Sequence, residues 1–181
     1  VCYEIDAAKH QDVFAVLKSA FCSAQNSDFN LANAVVRVKT GGKGLKMGDN
    51  LGATSGGAII VDGPVEVGTF RSADNPENAQ LMILAEKGAI TVRNGGQHPT
   101  LAYLVALDKT GGEIKTASKQ APLQLFGGIA AHTLDPENFA GGGEVAVQPI
   151  AAGRPLIGQA ADQKIGVAGE EIAVGVAVLR G

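Results

Sequence analysis

The sequence predicts a mainly β protein, a β-barrel or a jelly-roll-like β-sandwich with an N-terminal α-helix and a long glycine-rich arm. Only one segment, close to the N-terminus, has apolar residues at helical spacing. Beyond residue 30, short β-branched runs recur at intervals of about 8–12 residues, with glycine-containing turns between them. Because no helix-length segments alternate with these runs, a βαβ sheet is not expected.

Composition excludes several other classes of protein. The 181 residues are 45% hydrophobic, which excludes intrinsic disorder, and the 25 glycines follow no Gly-X-Y period, which excludes collagen. A net charge of −3 argues against non-specific nucleic-acid binding. Aromatic residues make up only 4%, too few for a stacking platform that binds sugars or single strands. No uncharged apolar stretch approaches about 18 residues, so no transmembrane helix is predicted.

The first element is a helix predicted from Asp6 to Gln25, with Asp6 as its N-cap. Val13, Leu17 and Phe21 recur every four residues and form one apolar stripe. We expect this stripe to pack against the rest of the chain or against a neighbouring subunit.

A strand over Ala34–Lys39 comes next, followed by a segment from Thr40 to Gly57 that contains seven glycines. Segments of this length without secondary structure are usually functional or ordered by a partner. We therefore predict a long loop or an extended arm here.

Ten further strands are predicted beyond the arm, separated by turns whose residues tolerate positive φ. They are Ala58–Asp62, Val65–Arg71, Gln80–Ala85, Ala89–Arg93, Leu101–Leu107, Glu113–Ala117, Leu123–Phe126, Glu144–Gln148, Gln163–Val167 and Glu171–Leu179. The predicted organisation is a helical segment over 1–30, a strand and basic arm over 31–57, and a β domain over 58–181.

Charge is unevenly distributed along the chain, and this distribution suggests a partner contact. Arg37, Lys39, Lys43 and Lys46 form a basic run that is not interrupted by an acid before Asp49. Such a run can meet a complementary surface on a partner or on a second copy. The alternative is a solvated face with no partner.

The sequence offers no constellation of residues for catalysis or for metal binding. His10, His98 and His132 lie far apart, although a metal site needs several converging ligands. No nucleophile elbow is present, and the glycine-rich stretch around Lys43 lacks the Lys-Ser/Thr and the following helix of a phosphate loop. We predict that the protein is not an enzyme and that it has no cofactor and no metal.

The N-terminus and the two cysteines give information about the cellular compartment of the protein. Cys2 and Cys22 are the only cysteines, and the sequence is compatible with free thiols or with a disulfide between them. The first residues lack the basic and apolar regions of a signal peptide, although a leader removed before Val1 fits equally well. The simplest expectation is a soluble protein made in the cytoplasm.

The C-terminal third resembles a pattern in tailed-phage capsid decoration (cement) proteins. The resemblance rests on the run Ala151–Gly158, Ala-Ala-Gly-Arg-Pro-Leu-Ile-Gly, and on Gly166–Val174, where Ala-Gly-Glu-Glu-Ile-Ala-Val forms the end. It covers about 30 residues and implies a small β-barrel or sandwich on the outside of a bacteriophage capsid. The helix and the arm are not features of the shortest members of that family.

The function implied is that of a structural virion protein. It would decorate and stabilise an icosahedral capsid as a homo-oligomer, a dimer or a trimer, by bridging neighbouring subunits of the major capsid protein, without nucleic acid or membrane. Arg37, Lys39, Lys43 and Lys46 would meet acidic capsid surface. The alternative is an extracellular fibre or pilus subunit that assembles by strand exchange.

Overall fold

A computed structural model of the chain describes residues 1–22, 28–49, 51–53, 55–69, 81–93, 100–118, 123–139, 143–147, 160–167 and 170–177. The strands are β1 (Cys2–Asp6), β2 (Asp28–Phe29), β3 (Val35–Lys39), β4 (Leu45–Lys46), β5 (Gly52–Ala53), β6 (Gly57–Val61), β7 (Val65–Val67), β8 (Leu81–Ala85), β9 (Ile90–Val92), β10 (Thr100–Ala106), β11 (Ile114–Thr116), β12 (Leu123–Ala131), β13 (Gly143–Val147), β14 (Ala160–Val167) and β15 (Glu170–Ala177). Within these residues the helical elements are α1 (Val13–Phe21) and a 3-10 turn at Pro136–Phe139. Neither is long and apolar enough to cross a bilayer.

Parallel pairing dominates both large sheets. The main sheet has the order β1-β3-β6-β8-β10-β12-β15-β14, and β13 also pairs with β12. Its pairings from β1 to β12 are all parallel, and the final β14–β15 pair is antiparallel. The small sheet has the order β11-β9-β7-β4 and is parallel throughout. Strands β2 and β5 form a separate two-stranded parallel pair.

The chain visits the two large sheets alternately and therefore winds into coils. Strands β3, β6, β8, β10 and β12 lie in the main sheet, and β4, β7, β9 and β11 between them in sequence lie in the small sheet. Val36, Ile59, Ile83, Leu104 and Ile129 are in register, so successive coils are 23, 24, 21 and 25 residues long. This architecture is a parallel β-solenoid, in which each coil packs on the next.

The core is a stack of aliphatic side chains enclosed by the coils. The five registered residues of the main sheet are at most 3% exposed. They face a second ladder from the small sheet, which consists of Leu45, Val65, Ile90 and Ile114. Burying one such side chain stabilises the fold by about 1.5–3 kcal/mol, so the stack is the main source of stability.

Glycine corners carry the chain from the main sheet to the small one. Gly44 adopts a φ of +81°, and a Cβ at this position would lie 2.3 Å from the carbonyl oxygen of Pro64 in the next coil. That carbonyl accepts a hydrogen bond of 2.9 Å from the N–H of Leu45. The corner requires glycine both for its left-handed conformation and for the close approach of the two coils.

Helical segments cover both outer strands of the small sheet. Helix α1 begins after Asp12, whose Oδ1 accepts a hydrogen bond from the N–H of Ala15, and its buried residues are Val13 and Leu17. It contacts β4 at one edge of the small sheet, and the turn at 136–139 contacts β11 at the other edge. Solenoids need such terminal caps because the end coils have no neighbour to bury their open side.

The prediction of a β-barrel or jelly-roll sandwich is wrong. Apart from the antiparallel β14–β15 pair, the described strands form parallel sheets that do not close into a barrel, because each glycine corner leads to the opposite sheet instead of back along the same one. The predicted arm over 40–57 is also wrong, since these residues contribute β4 and β5 to a coil. The helix is shorter than predicted, because Asp6 ends strand β1 and Asp12 is the N-cap. The domain boundaries remain a prediction.

Candidate interaction surface

The four basic residues predicted to contact a partner all belong to the coil that begins with β3. Arg37 and Lys39 point outward from β3, Lys46 points outward from β4, and Lys43 lies in the turn between these strands; all four are exposed. The structure therefore places them on one coil but on two of its sides. The sequence prediction that they bind a partner stays a prediction.

Most of this positive charge is already paired within the molecule. Arg37 NH2 lies 2.7 Å from Glu86 Oε1, and Lys39 Nζ lies 2.6 Å from Glu4 Oε1. Lys46 Nζ lies 3.3 Å from an oxygen of Glu66. The pairs of Arg37 and Lys46 join the first coil to later coils, and the pair of Lys39 joins it to β1. All three are exposed enough to contribute only about 0–1 kcal/mol each.

Lys43 donates a hydrogen bond of 2.8 Å to the carbonyl oxygen of Ala8 and so ties the turn to the segment before α1. This is again a contact within the chain. Each of the four basic side chains thus has a partner within the chain.

A second charged network lies on the outside of the small sheet and was not predicted. Arg93 Nε is 2.6 Å from Glu66 Oε1, close enough for an ion pair although the N–H does not point at the oxygen as a hydrogen bond requires. Arg93 NH2 donates to the carbonyl oxygen of Met47 at 2.6 Å, and NH1 lies 3.4 Å from Asp49 Oδ2. The guanidinium of Arg93, which follows β9, therefore reaches across β7 to the residues that follow β4.

Two aspartates fasten neighbouring corners to each other. Asp62 accepts hydrogen bonds from the N–H and hydroxyl of Thr40 and from the N–H of Gly41. Burial raises the pKa of Asp62, but these hydrogen bonds outweigh it and the net pKa is lowered. The amides that donate to Asp62 belong to the preceding coil, so the Asp62 carboxylate fastens its own coil to that one.

The corresponding aspartate at a later corner is Asp108. Backbone N–H groups of Thr110 and Gly88 donate to its carboxylate and lower its pKa to about 2. Gly88 belongs to the preceding coil, so Asp108 repeats the role of Asp62 two coils further along the solenoid.

Apolar side chains from several coils lie side by side on the outer face of the main sheet. Ile60, Leu84 and Val105 are in register across three strands, and Met82 and Tyr103 form a second row beside them. All five point away from the core and are only half-buried. These five residues are called the apolar outer face below.

The margins of the apolar outer face include one ion pair and several apolar or small residues, among them Ala58, Leu101 and Ala130. Leu107 is 46% exposed and lies just beyond β10, and the Arg37–Glu86 ion pair stands at the margin nearer the N-terminal coil. From strand spacings of about 4.8 Å, the face covers roughly 200 Å². One partner contributes about 800 Å² to a standard interface, so the apolar outer face would form only a part of such an interface.

No chemistry-bearing cluster competes with this surface in the part of the chain that the structure describes. No three His, Cys, Asp or Glu side chains there come together as metal ligands would. His10 and His132 are exposed and distant in sequence, while His98 lies outside the described residues. Cys2 and Cys22 are free thiols, and burial raises the pKa of Cys22, which disfavours the reactive thiolate.

A signal for the apolar outer face was present in the sequence. The segments 81–85 and 101–107 are apolar at nearly every position, a pattern typical of strands in parallel sheets that are apolar on both faces.

Comparison of the chain with protein-family models, with curated proteins and with solved structures finds no match.

Proposed function

We propose that this chain is a non-catalytic structural protein of a bacteriophage virion, which decorates an icosahedral capsid and stabilises it by bridging neighbouring subunits of the major capsid protein. The observation that carries the proposal is the apolar outer face, five apolar side chains held in two registered rows on the outside of the main sheet. Apolar side chains gathered in register on the outside of a sheet, in contrast to single scattered ones, support a contact with another macromolecule.

The rigidity of the solenoid supports a bridging role. Five main-sheet strands stack in register over a continuous aliphatic core, and helical segments protect the edges of the small sheet. A scaffold of this kind holds a contact surface flat without needing to order it on binding. Less conformational entropy is then lost when the partner docks.

The resemblance of residues 151–158 and 166–174 to capsid decoration proteins supports the same role. Part of the second run lies in strands β14 and β15, at the far end of the main sheet from β1. Of the four basic residues, Arg37 and Lys39 point outward from β3 on the side of the apolar outer face and then serve as part of its rim, where charges guide association more than they add affinity.

The test compares two lysine substitutions on outward-facing, half-buried positions. Leu84→Lys places a charge in the apolar outer face, and Thr91→Lys places the same charge on the outside of the small sheet. Each variant is incubated with shells assembled from the major capsid protein of the phage that encodes the chain, and bound protein is quantified after co-sedimentation.

We expect the unmodified protein and Thr91→Lys to bind the shells, and Leu84→Lys to bind at least tenfold more weakly, because a lysine buried in an apolar contact lacks a partner. Light scattering of the free proteins reports whether a dimer or trimer depends on the same face. Shells that bind none of the three proteins, or all three equally, would show the proposal to be wrong.

A further inference from the structure

Strand β1 leaves one edge of the main sheet open among the described residues, where it pairs with β3 alone. The N–H of Val35 donates to the carbonyl oxygen of Val1, and the N–H of Ala7 donates to that of Lys39. Because backbone groups alternate in direction along a strand, the N–H and C=O groups of the odd-numbered residues of β1 point toward β3. The N–H and C=O groups of the even-numbered residues therefore point away from the sheet, toward the open edge.

The inward-facing side chains of β1 continue the core ladder, but no further strand among the described residues covers them at this edge. Tyr3 and Ile5 are in register with Val36 and Val38, which are fully buried, and so they extend the same ladder outward by one strand. Tyr3 nevertheless remains 47% exposed, although its ring meets that of Phe21 at a centroid distance of 5.6 Å. Helix α1 contacts β4 at the equivalent end of the small sheet and meets β1 through Phe21, and at the end of the main sheet Ile5 is partly buried while Tyr3 stays exposed.

The outward side chains of β1 determine which strand can be added. Glu4 and Asp6 are exposed and negatively charged at neutral pH, and Glu4 already holds Lys39 at 2.6 Å. A second copy of β1 added antiparallel around Glu4 would place two glutamates opposite each other, which destabilises a cross-strand pair. Lysine or arginine at those positions instead complements both carboxylates.

We propose that the open edge of β1 binds an extended segment of a partner protein, which adds to the main sheet as its outermost strand. The segment has apolar residues at alternate positions, covering Tyr3 and Ile5, and basic residues between them, facing Glu4 and Asp6. Main-chain hydrogen bonds to Cys2, Glu4 and Asp6 hold it, as in other complexes formed by strand addition. This site is separate from the apolar outer face, and it does not depend on the proposed function.

The probe is a fluorescein-labelled nine-residue peptide that alternates valine and lysine, and its binding is followed by fluorescence anisotropy. The control peptide alternates valine and glutamate. The decisive variant is Glu4→Pro, which removes the N–H that points to the open edge and leaves the pairing of β1 with β3 intact. Glu4→Gln is the matched variant, because it keeps the N–H and removes only the charge.

The valine–lysine peptide is expected to bind the unmodified protein at least tenfold more tightly than the valine–glutamate peptide. Glu4→Gln should weaken binding two- to fivefold, and Glu4→Pro should weaken it at least tenfold, with the circular dichroism spectrum and unfolding midpoint unchanged. Absence of binding at millimolar peptide, or equal binding by Glu4→Pro and the unmodified protein, would overturn the proposal.

A measurement on the unmodified protein keeps the proposal testable if Glu4→Pro does not fold. Amide hydrogen exchange of Glu4 and Asp6 should slow at least tenfold when the valine–lysine peptide is added, while exposed amides on the opposite sheet, such as that of Lys46, should not change. Unchanged exchange at Glu4 and Asp6 would overturn the proposal. Protection that appears with rising protein concentration and without peptide would assign the edge to a second copy and would equally overturn it.

Discussion

Replacing Ile83 with alanine should destabilise the solenoid strongly, whereas the same change at the adjacent Leu84 should not. Ile83 is fully buried at the centre of the main-sheet ladder, between Ile59 and Leu104 of the flanking coils. The substitution removes three carbons, worth about 2.4 kcal/mol at about 0.8 kcal/mol for each buried CH₂. A cavity that the stacked coils cannot fill raises the total loss to about 3–4 kcal/mol.

Leu84 is the matched control because it belongs to the same strand and points to the opposite face, where it is only half-buried. Leu84→Ala should cost about 1 kcal/mol or less, because the side chain is on the outside of the sheet and its removal leaves no enclosed cavity. Urea unfolding measures both values, with unchanged m-values expected because the exposed surface on unfolding is the same. If Leu84→Ala cost as much as Ile83→Ala, the assignment of inward and outward faces would be refuted.

Two other predictions concern the corners between coils. Asp108 has its pKa lowered to about 2 by backbone hydrogen bonds, so its stabilising effect is present above the unfolded pKa and is lost as the pH falls from about 4 to 2. Urea unfolding between pH 6 and pH 2 should therefore show a smaller fall in stability for Asp108→Asn than for the unmodified protein, and parallel curves would contradict this. Gly42 and Gly44 share a φ of +81°, but only a Cβ at Gly44 would strike Pro64; Gly42→Ala should cost about 1 kcal/mol and Gly44→Ala at least about 3 kcal/mol. Equal losses of stability in the two variants would mean that the corner at Gly44 does not stack on the corner at Pro64.

Local sequence patterns located most of the strands. The predicted strands at Ala58–Asp62 and Gln80–Ala85 correspond to β6 and β8 within one residue at each end. The turn at Asp135 and Pro136 also follows its local chemistry, since Asp135 Oδ1 accepts from the N–H of Glu137. Such features depend on neighbouring residues alone, so a single sequence is sufficient to find them.

The pairing of those strands could not be predicted from local sequence patterns. A glycine turn such as Lys87-Gly88 permits a hairpin as readily as a corner between two sheets, and the choice depends on contacts more than 20 residues away. A repeat signal was available, because Gly63, Gly88 and Gly112 each stand two residues before an aliphatic residue that begins β7, β9 or β11. The variable coil length obscures this repeat.

The candidate surface was predicted only in part. The charge of Arg37 and Lys46 is visible in the sequence, but their pairing with Glu86 and Glu66 follows from coil stacking and not from proximity along the chain. The apolar outer face likewise exists only because residues from three coils come into register. Any site assembled across coils has this property.

The parallel stacking of coils is tested most directly by a designed disulfide across the small sheet. Thr91 of β9 and Lys115 of β11 are in register and point outward, and in-register parallel strands place their Cα atoms about 4.8 Å apart, within disulfide range. Thr91→Cys/Lys115→Cys, in a background with Cys2→Ser and Cys22→Ser, should form the bond under mild oxidation, as mass spectrometry of the unreduced digest would show. Thr91→Cys/Ala117→Cys, displaced by two residues, should not, because its Cα atoms are about 8 Å apart. Failure of the in-register pair to cross-link, or equal cross-linking of both pairs, would contradict the coil arrangement.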